Sequence, residues 1–439
     1  MLAIFEDELQ KGTGFAYLLI KNSILTPSEA VDKILFENLA TDLAYDPQCE
    51  DFRHEYIYSM LQFYPRKHQI YEMALDRFDK MTDDNYGEYQ IFGFVEKLVK
   101  ESLVAKVKLY DKFLFYASKD LRPSMPGVNE LMLADGMEGL CFLAKYFGKH
   151  MTEEHIPDFV GHPFYEVYSE KISLSPQEVI KLLTEKHDPD IDKYLSIISS
   201  DNPRLPRERA RESLSEIIEL LRNGKKLFKV RRWLKNASLD ETRELSRLFQ
   251  DEKNLKVRKQ WISVFYHTKI EVPFSLLVSE FSKTRDIVYR EALIEAMLKF
   301  DDASVLKLCD QAYSDAFRVT WIRAYAALYN NNHEWRFRLM LEEMDHNEIH
   351  QVIEPILQSE ALASSSIYPK LLWILYRKNR CSLCRMDIVK KILEVGAYDS
   401  NFIEEITYDC NAETRKLTEG RSLATASGTI PRSCREDSP

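Results

Sequence analysis

The chain has 439 residues, 45% of them hydrophobic and 30% charged, with a formal net charge of −10 and only 13 glycines. A sizeable core is therefore available. The scarcity of glycine, with no G-x-x-x-x-G-K run, excludes a phosphate-loop nucleotide site. No run approaches 18 uncharged apolar residues, so a membrane span is not expected, and seven scattered cysteines are poor material for a disulfide scaffold and suit a reducing cytoplasm.

In chain order, Met1 to Gln10 carries Glu6, Asp7 and Glu8 instead of a basic segment followed by an apolar one, so no secretory signal is expected. Thr26-Pro27-Ser28-Glu29 places a capping Thr, a helix-opening Pro and a Glu able to reach back, predicting a helix to about Leu43. Helices are predicted over 88–100 and 101–117, and helical spacing continues from Met137 to Phe147 after Asp135-Gly136. Ser175-Pro176-Gln177-Glu178 and Ser238-Leu239-Asp240-Glu241 are two further capping boxes. Ser199 to Pro206 is polar and proline-bearing and reads as a linker. There the charge changes: residues 1–200 hold 34 acidic and 21 basic side chains, residues 201–439 hold 36 and 39. The expected organisation is an acidic helical region, 1–200, built of degenerate repeats or a helical cap; a repeat region, 201–417; and a disordered tail, 418–439.

Three stretches of the second region superimpose: Arg258-Lys-Gln-Trp261-Ile262, Arg290-Glu-Ala-Leu293-Ile294 and Arg318-Val-Thr-Trp321-Ile322, starting 32 and then 28 residues apart. An internal period of this length marks stacked helix pairs. Asp251, Asp286 and Asp315 lie shortly before the three arginines, where an Asp can cap the second helix of a pair, and each Arg fork can bridge to the adjacent pair. Asp in the turn, then Val257-Arg258, Tyr289-Arg290 or Phe317-Arg318 opening the second helix, resembles HEAT repeats over roughly 238–358 and extends to Asp409 through Arg415, which reads as the start of a last second helix. The chain is similar to bacterial HEAT-repeat proteins of unassigned function. That resemblance implies an all-α fold, an α-solenoid forming a right-handed superhelix of antiparallel HEAT-like helix pairs, with second helices lining a concave side.

Candidate chemistry is sparse. His346 and His350 have metal-ligand spacing, but the zincin pattern needs Glu directly after the first His, and His350 falls 32 residues after Arg318, in the next Arg slot. Cys381-Ser-Leu-Cys384 is half a zinc knuckle without a second half; it reads as buried cysteines at a helix entry, with a redox pair as the alternative. Asp188-Pro-Asp190-Ile-Asp192 lacks the Gly and Glu of a calcium loop and reads as a turn. His150, His155 and His162 with Glu153, Glu154 and Asp158 fit no ligand frame. Asp301-Asp302 reads as a turn and cap, and no hydrolase elbow or kinase set occurs. No metal, cofactor or catalytic residue is expected. One feature stands apart: Lys225, Lys226, Lys229, Arg231 and Arg232, within a run of seven cations and no acid from Arg222 to Lys235, set a basic stripe beside Phe228 and Trp233.

The expected function is a non-catalytic protein–protein interaction scaffold or adaptor using the concave face, located in the cytoplasm and without membrane contact. The alternative is a nucleic-acid binder, similar to HEAT-like DNA glycosylases, using the 222–235 stripe; the acidity of the whole chain weighs against it. A third reading is a regulatory subunit whose acidic first half docks a basic partner.

Overall fold

The computed structural model describes residues 1–47, 49–50, 52–82, 86–152, 154–155, 158–159, 164–198, 211–225, 227–265, 272–329 and 333–419, the side chains of Tyr86, Glu170, Lys171 and Asp315 excepted. These residues are all-α, with no strand among them. No helix among them is long and apolar enough to cross a membrane. Two compact units partition the chain: unit 1 is Met1–Leu205, Arg380–Lys390 and Tyr398–Ile430, and unit 2 is Pro206–Asn379, Lys391–Ala397 and Pro431–Pro439. The 199–206 linker stretch, at the boundary, lies outside the described residues, as do residues 420–439 of the expected tail.

Unit 1 begins with α1 (Leu2–Lys11), α2 (Gly14–Lys21), α3 (Glu29–Ala40), α4 (His54–Leu61), α5 (Lys67–Lys80), α6 (Tyr86–Lys100), α7 (Val107–Ala117), α8 (Val128–His150), α9 (Phe164–Ile172), α10 (Pro176–Thr184) and α11 (Pro189–Ile198). The cap of α3 is Ser28, whose hydroxyl accepts from the Val31 N–H at 3.4 Å, and not Thr26; the helix stops at Ala40, where Thr41 turns extended. Ser175 and Glu178 close their reciprocal capping box on α10. The helical pattern around Asp135-Gly136 forms as one element with a break: Gly136 takes φ 59°, a left-handed value that kinks α8. Helix α6 packs on α3, α4, α5 and α8, so its apolar residues Ile91, Phe92, Phe94, Val95 and Leu98 lie at the centre of the core. Two glycines permit close backbone approach. A Cβ at Gly148 would stand 1.8 Å from the Asp190 carbonyl oxygen, where α8 meets α11, and one at Gly14 would stand 1.6 Å from that of Glu405.

Unit 2 contains α12 (Leu214–Asn223), α13 (Leu227–Leu234), α14 (Leu239–Asp251), α15 (Leu255–Phe265), α16 (Phe274–Lys283), α17 (Ile287–Met297), α18 (Ser304–Gln311), α19 (Arg318–Ala327), α20 (Glu334–Glu343), α21 (His346–Gln358), the short α22 (Glu360–Ala363) and α23 (Tyr368–Lys378). The Ser238–Glu241 box caps α14. Packing runs in series: α15 on α17, α17 on α19, α19 on α21 and α21 on α23. The buried residues of this series include the apolar slots of the internal repeat: Trp261 and Ile262, Leu293 and Ile294, Trp321 and Ile322.

Three further helices are α24 (Ser382–Glu394), α25 (Ser400–Thr407) and α26 (Ala412–Lys416). The opening of α24, with α25 and α26, belongs to unit 1 and not to the repeat-bearing part of the chain. Residues 409–415 do not begin a last second helix of repeat length. They form a five-residue helix capped by Asn411, which accepts from the Thr414 N–H at 2.9 Å and packs on α25.

Candidate functional site

In unit 2 the repeat arginines take three different partners. Arg258 reaches Glu280 on α16 at 3.1 Å and lies over the Phe249 ring. Arg290 donates from Nε to the Thr284 carbonyl at 2.8 Å, inside its own pair, and lies over Phe281. Arg318 forks onto both oxygens of Glu348 on α21, each at 3.0 Å. Asp286 caps α17, accepting from the Tyr289 N–H at 2.9 Å, and pairs with Lys259, which holds its carboxyl below the usual carboxylate range. Asp251 caps nothing. Helix α14 runs one turn further than the pattern suggests and ends with Asp251, which pairs with Arg247 at 3.2 Å; Asn254 is the cap of α15. Asp315 opens a 3-10 turn, its side chain outside the described residues. His350 is half-buried on α21.

Two ties of unit 2 carry no repeat signature. Asp310 on α18 accepts from Trp321 Nε1 and the Tyr325 hydroxyl, both at 2.9 Å, and pairs with Arg336 on α20 at 3.1 Å. The large apolar slots of the repeat thus satisfy their polar tips on one carboxylate, as buried Trp and Tyr require. Lys378 at the end of α23 donates to the carbonyls of Leu341, Glu342 and Met344, which terminate α20.

The basic stripe is only partly a free charge. Lys225 is exposed. Lys229 and Arg232 share Glu212, at 3.2 and 3.5 Å, and a backbone N–H, with these cations after it, pulls the Glu212 carboxyl down. Trp233 is buried and donates to the Glu212 carbonyl, whereas Phe228 is exposed and does not pack inward. Arg231 is half-buried, and Lys226 lies outside the described residues. Elsewhere in unit 2 large apolar side chains face solvent: Val288 is 72% exposed, and Trp335 and Leu339, one helical turn apart on α20, are 69% and 44% exposed.

Unit 1 holds two polar assemblies built by tertiary packing. The first joins four distant segments. Arg385, fully buried on α24, binds both carboxylate oxygens of Asp409 at 2.7 and 3.1 Å and donates to the Gly12 carbonyl. The Cys410 N–H returns to that same carbonyl at 2.9 Å. Glu50, also buried, accepts from the Ser382 N–H at 2.8 Å and faces Arg53 at 3.6 Å; Arg53 in turn donates to the Gln10 carbonyl. At the edge of this assembly sits the Cys381–Cys384 pair. Cys381 is the N-cap of α24: its carbonyl accepts from the Arg385 backbone N–H at 3.0 Å and its sulfur accepts from the Cys384 N–H at 3.5 Å.

The second assembly lines a cavity of about 620 Å³ bounded by Tyr17, Phe52, His54, Glu96, Glu130 and Tyr408 among others. Tyr17 stacks on Tyr408 with centroids 4.5 Å apart, and Phe52 on Tyr89 at 5.7 Å. Most hydroxyl donors there are spent on protein: Tyr17 on the Ser59 carbonyl, Tyr56 on Thr13 and Tyr89 on Ser124. Desolvation holds the His54 imidazole neutral, with its pKa lowered to about 4. Desolvation also pushes Glu130 up to about 7, against the Gly127 N–H that its carboxylate accepts at 2.9 Å and with help from Glu96.

Of the remaining groups singled out above, Asp188 caps α11, accepting from the Asp190 N–H and pairing with Lys145 at the turn that opens the helix. Asp302 accepts from the Ser304 N–H, and Asp301 adopts φ 53°. His155 bonds Thr152, while Glu153 and His162 lie outside the described residues. Comparison with family models, curated proteins and solved structures finds no match for this chain.

Proposed function

We propose that the chain is a non-catalytic interaction scaffold, in which unit 2 is an α-solenoid of HEAT-like helix pairs that holds a protein partner. The serial packing of α15, α17, α19, α21 and α23 supports this reading. So do the forks of Arg258 and Arg318, each reaching a carboxylate of the following pair. A stack held together this way leaves its surfaces for ligands. The observation that carries a protein partner is the exposed Trp335 with Leu339 on the same face of α20. Trp is among the residue types most enriched at binding hot spots, and Leu339 extends its apolar surface along the same face. Nucleic acid is the weaker reading because Glu212 takes up Lys229 and Arg232, and phosphate binding needs sustained positive potential.

One experiment with two arms tests this. The tagged chain, its Trp335→Glu/Leu339→Glu variant and its fourfold Lys225, Lys229, Arg231 and Arg232→Glu variant are used to capture ligands from a native extract, and are also run on heparin at low salt. A stoichiometric protein partner, kept by the fourfold variant and lost by the Trp335 variant, is expected. Retention on heparin or DNA that the fourfold reversal abolishes, with no protein captured, would replace the scaffold by the nucleic-acid reading.

A further inference from the structure

We infer that Cys381 and Cys384 form a redox-active dithiol, oxidised to an intramolecular disulfide by a small peroxide. Four observations carry it. The two Sγ atoms lie within 4.8 Å of one another, a separation that rotation about the Cα–Cβ bonds closes when residues i and i+3 open a helix. Cys381 occupies the N-cap of a 13-residue helix, where an oxygen-bearing side chain is the usual acceptor and where the dipole favours negative charge. Its sulfur accepts from the Cys384 thiol and from the backbone N–H groups of Cys384 and Leu383, which outweigh burial and Glu50 and bring its pKa from 9.0 down to about 7. The Cys384 thiol, the donor to that sulfur, is pushed up in consequence. One proton is thus shared unequally: Cys381 carries the nucleophile and Cys384 keeps the hydrogen.

The other thiols among the described residues lack this arrangement. Burial raises those of Cys309 and Cys410, and hydrogen bonding and charge from Asp46 raise that of the exposed Cys49. Reactivity follows thiolate character, so Cys381 reacts first although it is only 3% exposed. That burial selects the oxidant. A peroxide reaches a sealed sulfur more readily than a tripeptide disulfide does. In the first step the Cys381 thiolate attacks one peroxide oxygen, the O–O bond breaks, hydroxide leaves, and Cys381 becomes a sulfenic acid. In the second the Cys384 sulfur attacks the Cys381 sulfur; the S–O bond breaks, and the thiol proton leaves with the hydroxyl as water. In sum two thiols and one hydrogen peroxide give one disulfide and two waters.

The full-length reduced chain is treated with one equivalent of hydrogen peroxide or of glutathione disulfide, then alkylated and read peptide by peptide by mass spectrometry. The expected product is a single Cys381–Cys384 disulfide, with glutathione disulfide slower by about tenfold or more and with Cys309 and Cys410 still reduced. In Cys384→Ser the reaction stops at a Cys381 sulfenic acid that dimedone captures. Cys381→Ser keeps a good N-cap and an unchanged melting curve, and leaves Cys384 unreactive. Full alkylation of both cysteines after peroxide would overturn the inference, as would prior oxidation of Cys49 or Cys141, or an equimolar zinc ion in the purified protein protecting both thiols.

Discussion

The two units bind their own parts together over different ranges of sequence. In unit 2 the ties span a few tens of residues: Arg258 to Glu280, Arg318 to Glu348, Arg336 to Asp310, Lys378 to the end of α20. Each joins helices no more than three apart along the chain. In unit 1 the corresponding ties cross most of the chain: Arg385 to Gly12, Ser382 to Glu50, the Cys410 N–H to Gly12. Short-range ties make a structure in which stability is roughly a sum over neighbours. Long-range ties close large loops, and their loss releases a long segment at once. Unit 2 should therefore tolerate the loss of one polar tie far better than unit 1.

The largest expected effect is at Arg385. Arg385→Met leaves the Asp409 carboxylate buried and unpaired, which costs about 3–5 kcal/mol. In unit 2, Arg318→Met removes a partly exposed pair and costs about 1 kcal/mol. Urea denaturation of both variants checks the contrast, and equal losses would break it. Adding Asp409→Asn to Arg385→Met should restore part of the stability.

A smaller effect is expected at Glu130. Its folded-state pKa, about 7, lies above the ordinary 4.5, so the folded state holds this proton more tightly. Its contribution is present at low pH and is lost as pH rises from about 4.5 to about 7. The neutral His54, at about 4 against 6.5, works in the opposite sense: folding is weakened as pH falls from about 6.5 through 4. In the native chain the two slopes oppose one another. Glu130→Gln, which keeps an acceptor for the Gly127 N–H, should leave the His54 slope alone and gain about 1–3 kcal/mol relative to the native chain between pH 4.5 and 7. Parallel stability curves for the two proteins would show that Glu130 titrates normally.

Much of unit 2 was legible in the sequence because its physics is periodic. The Arg-x-x-apolar-Ile slots lie on α15, α17 and α19, and Ser238 with Glu241 caps where spacing places it. The error at Asp251 is one turn of helix: acidic residues suit a C-terminal exposed turn paired to Arg247 as well as they suit a cap, and sequence alone does not separate the two. Asp310 was missed because its partners Trp321 and Tyr325 read as purely apolar slots. In unit 1 individual helices were legible, such as the one that the Ser175–Glu178 box opens, but the ties between them were not. Nothing in the spacing of Gly12, Glu50, Arg385 and Asp409 relates them, since they meet through tertiary packing. The Glu130 side chain has the spacing of a cap to Gly127, but its desolvation comes from helices that the sequence does not place. Cys381 and Cys384 were visible as a pair; the role of Cys381 as helix cap was not.

Hydrogen exchange measured by mass spectrometry in rising sub-denaturing urea tests the contrast most directly. Residues 380–390 and 398–417 should lose protection together with α1 to α4, in one cooperative step, while α15, α17, α19 and α21 open in a graded series from one neighbour to the next. If the 380–390 segment instead exchanges with α21 and α23, independently of α1, the closing ties of unit 1 do not hold it together and the account fails.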